Sequence, residues 1–197
     1  MLKKRATQDD AREREQIKLF NLIRTKERSN RYICDGKILI NGQVFDIELK
    51  TSDVEKKQVS TCRNLTVERV GEFSNLWFVF SEYKKVNSQK GFVFTGEHYI
   101  AHFTHLSGWF DRQVDKLLNG SEKYIGLNNW KSAEKILRNS PEIDESTISK
   151  LKHSIEMRGL NNPKIPWLSV VVSCGIKIDH RRPQEHIREI LLKEKKS

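Results

Sequence analysis

Cysteine is scarce in this chain of 197 residues, and its three cysteines, Cys34, Cys62 and Cys174, lie far apart. No two of them form a CxxC pair, so the sequence lacks the spacing of both a disulfide framework and a cysteine zinc site. Cysteines of this kind are typical of a reducing compartment. The composition therefore predicts a cytoplasmic protein with free thiols.

Long apolar stretches are also missing. No run approaches the roughly 20 apolar residues that a helix needs to cross a bilayer. The start, MLKKRATQDD, is basic but contains no hydrophobic segment of a secretory signal. The chain shows no internal repeat and no low-complexity linker. These absences predict a protein that does not enter a membrane, folded as a single domain over residues 1–197.

Negative charge is in deficit, since 36 Lys and Arg residues stand against 26 Asp and Glu residues and leave a formal charge of +10. The basic residues are spread along the chain, which suits a binding cleft made from several elements. Such a balance favours a polyanionic partner, most simply nucleic acid. The alternative is a basic protein that is soluble through its net charge.

The segment Tyr32–Lys50 predicts two strands joined at Asn41-Gly42, a dipeptide that favours a two-residue type I′ turn. This turn fixes the register and sets Asp35 opposite Glu48. Because side chains alternate between the faces of a strand, one face is charged and the other is apolar. Like charges placed opposite each other destabilise a sheet, and a divalent cation or a compensating lysine would remove that penalty. The charged set is Asp35, Lys37, Asp46, Glu48 and Lys50, and the apolar set is Ile38, Ile40, Phe45, Ile47 and Leu49.

An aspartate followed by Glu-x-Lys on a hydrophobic strand, here Asp35 and Glu48-Leu49-Lys50, resembles the PD-(D/E)xK nuclease superfamily and in particular its type II restriction endonucleases. Cys34 stands at the position of the proline that gives the superfamily its name. The resemblance implies an α/β fold, a restriction-endonuclease-like α/β/α sandwich with a central mixed β-sheet. Residues 121–162 are expected to form a small helical insertion or subdomain.

The resemblance also implies a magnesium site. Mg²⁺ takes oxygen ligands, typically one or two carboxylates together with water and substrate phosphate. Asp35 and Glu48 would supply the carboxylates, and the backbone carbonyl of Leu49 would add a third oxygen. Lys50 would hold the attacking water and stabilise charge on the phosphate. Asp46 is a possible accessory residue, for a second metal or as a partner of Lys37. Glu13, on the first predicted helix, is another.

The function implied is a Mg²⁺-dependent type II restriction endonuclease that hydrolyses double-stranded DNA at a specific sequence. A symmetric recognition site calls for two active sites and hence a homodimer. The expected compartment is the cytoplasm of a prokaryote. Two alternatives stay open. One is a structure-specific nuclease of the same fold, such as a junction resolvase or repair nickase. The other is a non-catalytic DNA-binding protein whose carboxylate face is a solvent-facing hairpin with ordinary salt bridges.

Two polar segments are candidates for DNA contact, one between two predicted strands and one just before the last predicted helix. Lysine and arginine position a protein on phosphates, whereas asparagine and glutamine can read adenine edges. The alternative for the first segment is an exposed hairpin loop. The candidates are Lys84, Lys85, Asn87, Gln89, Lys90, Arg181 and Arg182.

Hydrophobic periodicity predicts the remaining elements. His98, His102 and His105 recur at helical spacing that would suit metal ligands such as those of zinc, although the same stretch could equally continue a strand. Helices are expected over residues 9–27, 51–69, 107–118 and 184–194, and strands over residues 76–81, 91–94, 168–173 and 175–178.

Overall fold

The computed structural model of the protein describes residues 8–25, 34–62, 65–86, 91–122 and 162–194, together with the single residues 138, 145 and 160. The chain divides into two compact units. One comprises Met1–Val59, Phe73–Leu106 and Ile165–Ser197, and the other comprises Ser60–Glu72 and Ser107–Lys164. Most of the predicted helical insertion, residues 121–162, lies outside the described residues, and a single domain over residues 1–197 stays a prediction.

The strands of the described residues form two sheets. They are β1 (Ile23–Arg24), β2 (Gly36–Ile40), β3 (Gln43–Asp53), β4 (Gln58–Ser60), β5 (Trp77–Val86), β6 (Gly91–His102), β7 (Lys164–Pro166) and β8 (Ile176–Lys177). The larger sheet has the order β1-β2-β3-β5-β6-β8, and β4 pairs with β7 in the smaller one. In the larger sheet β3 and β5 run parallel while the other neighbours are antiparallel. The central sheet is therefore mixed, as predicted.

Helices flank these strands along the chain. They are α1 (Gln8–Leu19), α2 (Val67–Glu72), α3 (Phe103–Glu122) and α4 (Pro183–Glu194), with a π-helical segment at Trp167–Val172. The predicted last helix and the two central strands are confirmed. The protein is thus of mixed α/β class. Among the described residues no helix is long and apolar enough to span a membrane.

The five side chains of the predicted apolar face of the β2–β3 hairpin are buried, as the alternation predicted, whereas Leu39 and Val44 on the opposite face are exposed. They pack in one cluster with Phe20, which follows α1, and with Ile187 and Leu191 of α4. Burying a side chain of this size stabilises a fold by roughly 1.5–3 kcal/mol. The burial of this face therefore fixes which residues of the hairpin point the other way. The hairpin members of the cluster are Ile38, Ile40, Phe45, Ile47 and Leu49.

The helix predicted over residues 9–27 is shorter than expected. It ends at Leu19, and Asn21 takes a positive φ of 51°, which a continuing helix cannot accommodate. Leu22 is buried beside the hairpin, and the chain then enters the short strand β1. Phe20 and Leu22 thus reach the core from the turn between α1 and β1 rather than from a continued helix, and Ile23 on β1 is exposed.

The helix predicted over residues 51–69 is wrong. β3 continues to Asp53, because Thr51 and Ser52 pair with Ser81 and Glu82 of β5. Thr51-Ser52-Asp53 carries a strong local signal for a helix N-cap. The ladder to β5 outweighs it, and in the described part of the segment the six-residue α2, which begins at Val67, is the only helix.

The strand predicted over residues 168–173 is also wrong, since the segment is π-helical. Short apolar runs do not distinguish a buried strand from a buried helix. Gly175 follows closely, where its N–H donates to the Val171 carbonyl at 2.9 Å. A Cβ at position 175 would lie 2.6 Å from that oxygen, so the close turn requires glycine.

Candidate active site

The turn of the β2–β3 hairpin has the predicted geometry. Asn41 and Gly42 both have positive φ, 50° and 78°, as a type I′ turn requires. The register follows, with Ile38 opposite Phe45 and Gly36 opposite Ile47. The ladder stops at that pair, one residue short of the predicted pairing of Asp35 with Glu48. Asp35 therefore lies just before the first residue of β2.

Asp35 is held by backbone contacts on both sides. Its N–H donates to the Ile47 carbonyl at 2.9 Å, and its side-chain Oδ2 accepts the N–H of Leu49 at 2.7 Å. The carboxylate thus replaces the strand carbonyl that would otherwise pair with Leu49. Behind it, the Thr25 hydroxyl donates to the carbonyls of Cys34 and Asp35 at 2.9 and 3.1 Å. Together these hydrogen bonds hold the Asp35 carboxylate at the open end of the hairpin.

Glu48 and Lys50 form a close ion pair on the charged face of β3. Lys50 Nζ lies 2.5 Å from Glu48 Oε1, and the two side chains are only 13% and 11% exposed. Charges this far removed from water are tolerated only when they are paired. Lysine at this position therefore supplies the positive charge that the carboxylates of the hairpin need.

Asp46 lies on the same face and pairs with Lys37 across the two strands, at 3.2 Å. The thiol of Cys34 donates to the same Asp46 oxygen, with Sγ 3.6 Å away. Burial, followed by the negative charge of Asp46, raises the pKa of the Cys34 thiol to about 12. Cys34 consequently stays protonated, and Asp46 has the cross-strand partner that the alternation predicted.

The oxygen atoms near Asp35 and Glu48 are the type of ligand that a hard cation binds. Within a strand, the N–H and C=O of one residue point toward the same neighbour, so the Leu49 carbonyl points to the edge where its N–H meets Asp35. Mg²⁺ needs only one or two protein carboxylates beside water and substrate oxygens. Asp35, Glu48 and the Leu49 carbonyl fit that description. No group of three His, Cys, Asp or Glu side chains in the described part of the chain could hold a metal ion.

The first helix contacts the backbone of β3 through Gln16, and the accessory role of Glu13 stays a prediction. Glu13 forms an ion pair with Arg24 at 3.6 Å. Gln16, one turn later, donates to the Lys50 carbonyl at 3.2 Å. The sequence held a weak signal for Gln16, because the apolar residue Phe20, which the structure shows to be fully buried, lies four positions further along the predicted helix.

Gln16 also belongs to a buried polar group. Its amide donates to the Ser81 hydroxyl at 2.9 Å, and that hydroxyl lies 2.9 Å from His98 Nδ1. His98 is only 3% exposed. Burial lowers the pKa of His98 to about 4, with Glu97 raising it and His180 lowering it as smaller influences. His98 is therefore neutral at physiological pH.

This burial predicts loss of stability in mild acid. The unfolded chain takes up a proton near the ordinary histidine pKa of 6.5, whereas folded His98 does so only near 4, so stability falls as pH drops between those values. We expect acidification to pH 5 to cost about 2 kcal/mol of unfolding free energy through this residue. Urea denaturation at pH 7 and pH 5 measures the difference.

The matched variants are His98→Gln, which lacks the titrating group, and His180→Gln, which removes an exposed histidine. The first should lose much less stability between pH 7 and pH 5 than the unaltered protein, and the second only slightly less, because His180 is a small influence on the pKa of His98. Equal acid sensitivity in all three proteins would mean that other groups account for the effect.

The predicted DNA-contacting residues that are described lie on the surface. Lys84 and Lys85 belong to β5 rather than to a loop, and Lys85 pairs with Asp53 at 3.2 Å. Arg182 pairs with Glu189 at 2.7 Å, while the Arg181 N–H donates to Asp179. The Arg182–Glu189 pair is exposed, and exposed ion pairs contribute little stability and exchange readily for other anions, whereas the Asp53 carboxylate that Lys85 contacts is buried. Asn87, Gln89 and Lys90 lie outside the described residues.

The three histidines do not share a helix. His98 and His102 lie on β6, and His105 lies in the first turn of α3, where its Nε2 is 3.2 Å from a carboxylate oxygen of Glu194. Burial, then the charge of His105, lowers the pKa of His102. His102 and His105 line a cleft of about 460 Å³ that also includes Trp77. Within the described residues the side chains form no metal-binding group, so the zinc alternative gains no support.

No model of a known protein family and no curated protein matches this chain.

Proposed function

We propose that this protein is a Mg²⁺-dependent endodeoxyribonuclease of the type II restriction kind, with a PD-(D/E)xK active site formed by Asp35, Glu48 and Lys50. The observation that carries the proposal is the nearly buried Glu48–Lys50 pair at 2.5 Å, beside an aspartate whose carboxylate is bonded to the intervening Leu49 N–H. All three residues belong to one hairpin, in which Glu48 and Lys50 pair on β3 and Asp35 is hydrogen-bonded to β3 at Leu49. A surface salt bridge would need neither this burial nor the backbone restraint on Asp35.

Each residue has a role that its contacts suit. Asp35 and Glu48 would bind the metal with the Leu49 carbonyl, and Asp35 is fixed in advance by the Leu49 N–H at 2.7 Å. The bound metal would neutralise charge on the scissile phosphate and lower the pKa of a coordinated water. The Lys50 ammonium would orient the attacking water and stabilise charge that develops on the phosphate oxygens. Hydrolysis would then leave a 5′-phosphate and a 3′-hydroxyl.

Charge and fold class agree with this role. A formal charge of +10 favours a polyanionic substrate. The mixed sheet, with β3 central and parallel to β5, is compatible with a restriction-endonuclease-like α/β/α sandwich. The proposed substrate is double-stranded DNA, the proposed assembly is a homodimer, and the proposed compartment is the prokaryotic cytoplasm.

Digestion of a sequenced genome with the purified protein tests the proposal. With Mg²⁺ present, we expect discrete fragments whose sequenced ends share one short motif, and no cleavage when EDTA removes the metal. Cleavage confined to branched or nicked DNA would instead identify a structure-specific nuclease. A gel shift without cleavage would identify a non-catalytic DNA-binding protein, in which the Glu48–Lys50 pair is structural.

A further inference from the structure

A chain of hydrogen bonds crosses the core of the first unit and ends on the backbone of Lys50. Gln16 Nε2 donates to the Lys50 carbonyl oxygen at 3.2 Å and to Ser81 Oγ at 2.9 Å. Ser81 Oγ in turn lies 2.9 Å from His98 Nδ1. Gln16, Ser81 and His98 are 1%, 0% and 3% exposed, so water does not substitute for these bonds.

The members of this chain come from four different elements. Gln16 lies on α1, Lys50 on β3, Ser81 on β5 and His98 on β6. Buried polar groups are retained when they are mutually satisfied. A glutamine amide carries two N–H donors, and Gln16 directs both of them at partners in neighbouring strands. The helix is thereby tied to the strand that carries Lys50.

We infer that Gln16 is a positioning residue for Lys50, so that the proposed cleavage rate depends on its amide. The inference rests on the proposed function. The carbonyl that Gln16 holds belongs to the same residue whose ammonium contacts Glu48 at 2.5 Å. Fixing that peptide group fixes the origin from which the Lys50 side chain extends. Ser81 and His98 keep the amide of Gln16 in place.

The chemistry of the contact requires an amide donor. A methionine of similar length has no N–H and would leave the Lys50 carbonyl without this bond. A glutamate would place its carboxylate oxygens against the Lys50 carbonyl oxygen, where no hydrogen is available for a bond. Catalytic groups must be held within a fraction of an ångström of the productive geometry, and a misplacement of about 1 Å can cost a factor of about 100. Loss of the amide should therefore reduce the rate of the chemical step and leave DNA affinity largely unchanged.

Gln16→Met is the variant that tests this role. We expect its single-turnover cleavage rate at saturating protein and Mg²⁺ to fall on the order of 10- to 100-fold, at a temperature where the variant is folded by circular dichroism. The Mg²⁺ concentration for half-maximal rate and the Kd for DNA should change less than threefold. A residue with a purely structural role would not separate rate from binding in this way.

Gln113→Met is the matched control. Gln113 is also a helical glutamine, 5% exposed, and its amide also donates to a backbone carbonyl, that of Trp109. We expect this variant to cleave within twofold of the parental rate. A loss equal to that of Gln16→Met would show that any buried glutamine matters equally, which would overturn the inference.

A double-variant cycle provides the decisive measurement. If Gln16 acts through Lys50, Gln16→Met should add almost nothing to the loss caused by Lys50→Met, whereas independent effects would multiply. Should Gln16→Met not fold, Ser81→Ala takes its place in the cycle. Ser81→Ala removes one of the two hydrogen-bond partners of the Gln16 amide. It should cause a smaller loss of cleavage rate, and that loss should also disappear when Lys50 is replaced by methionine.

The inference and the proposed function fail in different ways. Parental cleavage that is unchanged in Gln16→Met, or losses that multiply with those of Lys50→Met, would remove the role of Gln16 alone. A parental protein that does not cut DNA would remove the proposed function and this inference with it.

Discussion

We expect Lys50→Met and Glu48→Gln each to lower Mg²⁺-dependent DNA cleavage on the order of 100- to 1,000-fold, while DNA still shifts on a gel. Lys50→Met removes the ammonium that would stabilise charge on the phosphate, and Glu48→Gln removes a carboxylate that would bind the metal. Single-turnover rates with the protein in excess measure this loss directly. Loss of the carboxylate should also tighten DNA binding without metal, because it lessens repulsion of phosphate.

Both substitutions also disturb a pair that is nearly withdrawn from water. Each leaves one charged group without the partner that it has at 2.5 Å, which is more destabilising than removing both charges together. The double variant Glu48→Gln/Lys50→Met should therefore unfold at higher urea concentration than the less stable single variant. Its cleavage should stay at the background level, which separates lost chemistry from lost folding.

The matched control is the exposed pair formed by Glu97 and Lys177, whose atoms lie 2.7 Å apart. The Lys177 ammonium is the main reason that the pKa of Glu97 lies below its ordinary value. Glu97→Gln and Lys177→Met break the same kind of pair far along the sheet, on β6 and β8. These two variants should cleave DNA within twofold of the parental rate. Glu48→Gln cutting at the parental rate would end the nuclease proposal.

We expect Asp35→Asn and Asp35→Ala both to abolish cleavage but to differ in stability. Oδ2 of Asp35 accepts the Leu49 N–H at 2.7 Å. An asparagine keeps an oxygen acceptor for the Leu49 N–H. An alanine leaves this N–H of a buried residue without its acceptor, which should lower the free energy of unfolding by about 1–3 kcal/mol. Urea denaturation should place Asp35→Asn near the parental protein and Asp35→Ala clearly below it.

This pair of variants separates the two roles of one carboxylate. The negative charge of Asp35 would bind the metal, and its Oδ2 atom accepts the Leu49 N–H beside the start of β2. If Asp35→Asn cleaved DNA at the parental rate, the charge would have no catalytic role. If Asp35→Ala were as stable as Asp35→Asn, the bond to Leu49 would contribute little to folding.

Local rules sufficed to predict the hairpin. Asn41-Gly42 accepts the positive φ values of a type I′ turn, and alternation along β2 and β3 assigned the buried face. Both depend on residues within a few positions of each other. For the same reason the sequence alone placed Glu48 and Lys50 on one face and Asp46 within reach of Lys37.

Tertiary structure decided how those residues are held. Asp35 meets the Leu49 N–H because the ladder ends at Gly36, and Gln16 reaches the Lys50 carbonyl across 34 positions of sequence. Pairing with β5 extended β3 through Thr51-Ser52-Asp53 against a local helix signal. Turn and alternation preferences act between neighbours along the chain, whereas these contacts depend on which distant segments share the core. The sequence therefore determined which groups face together, and packing determined where each of them is fixed.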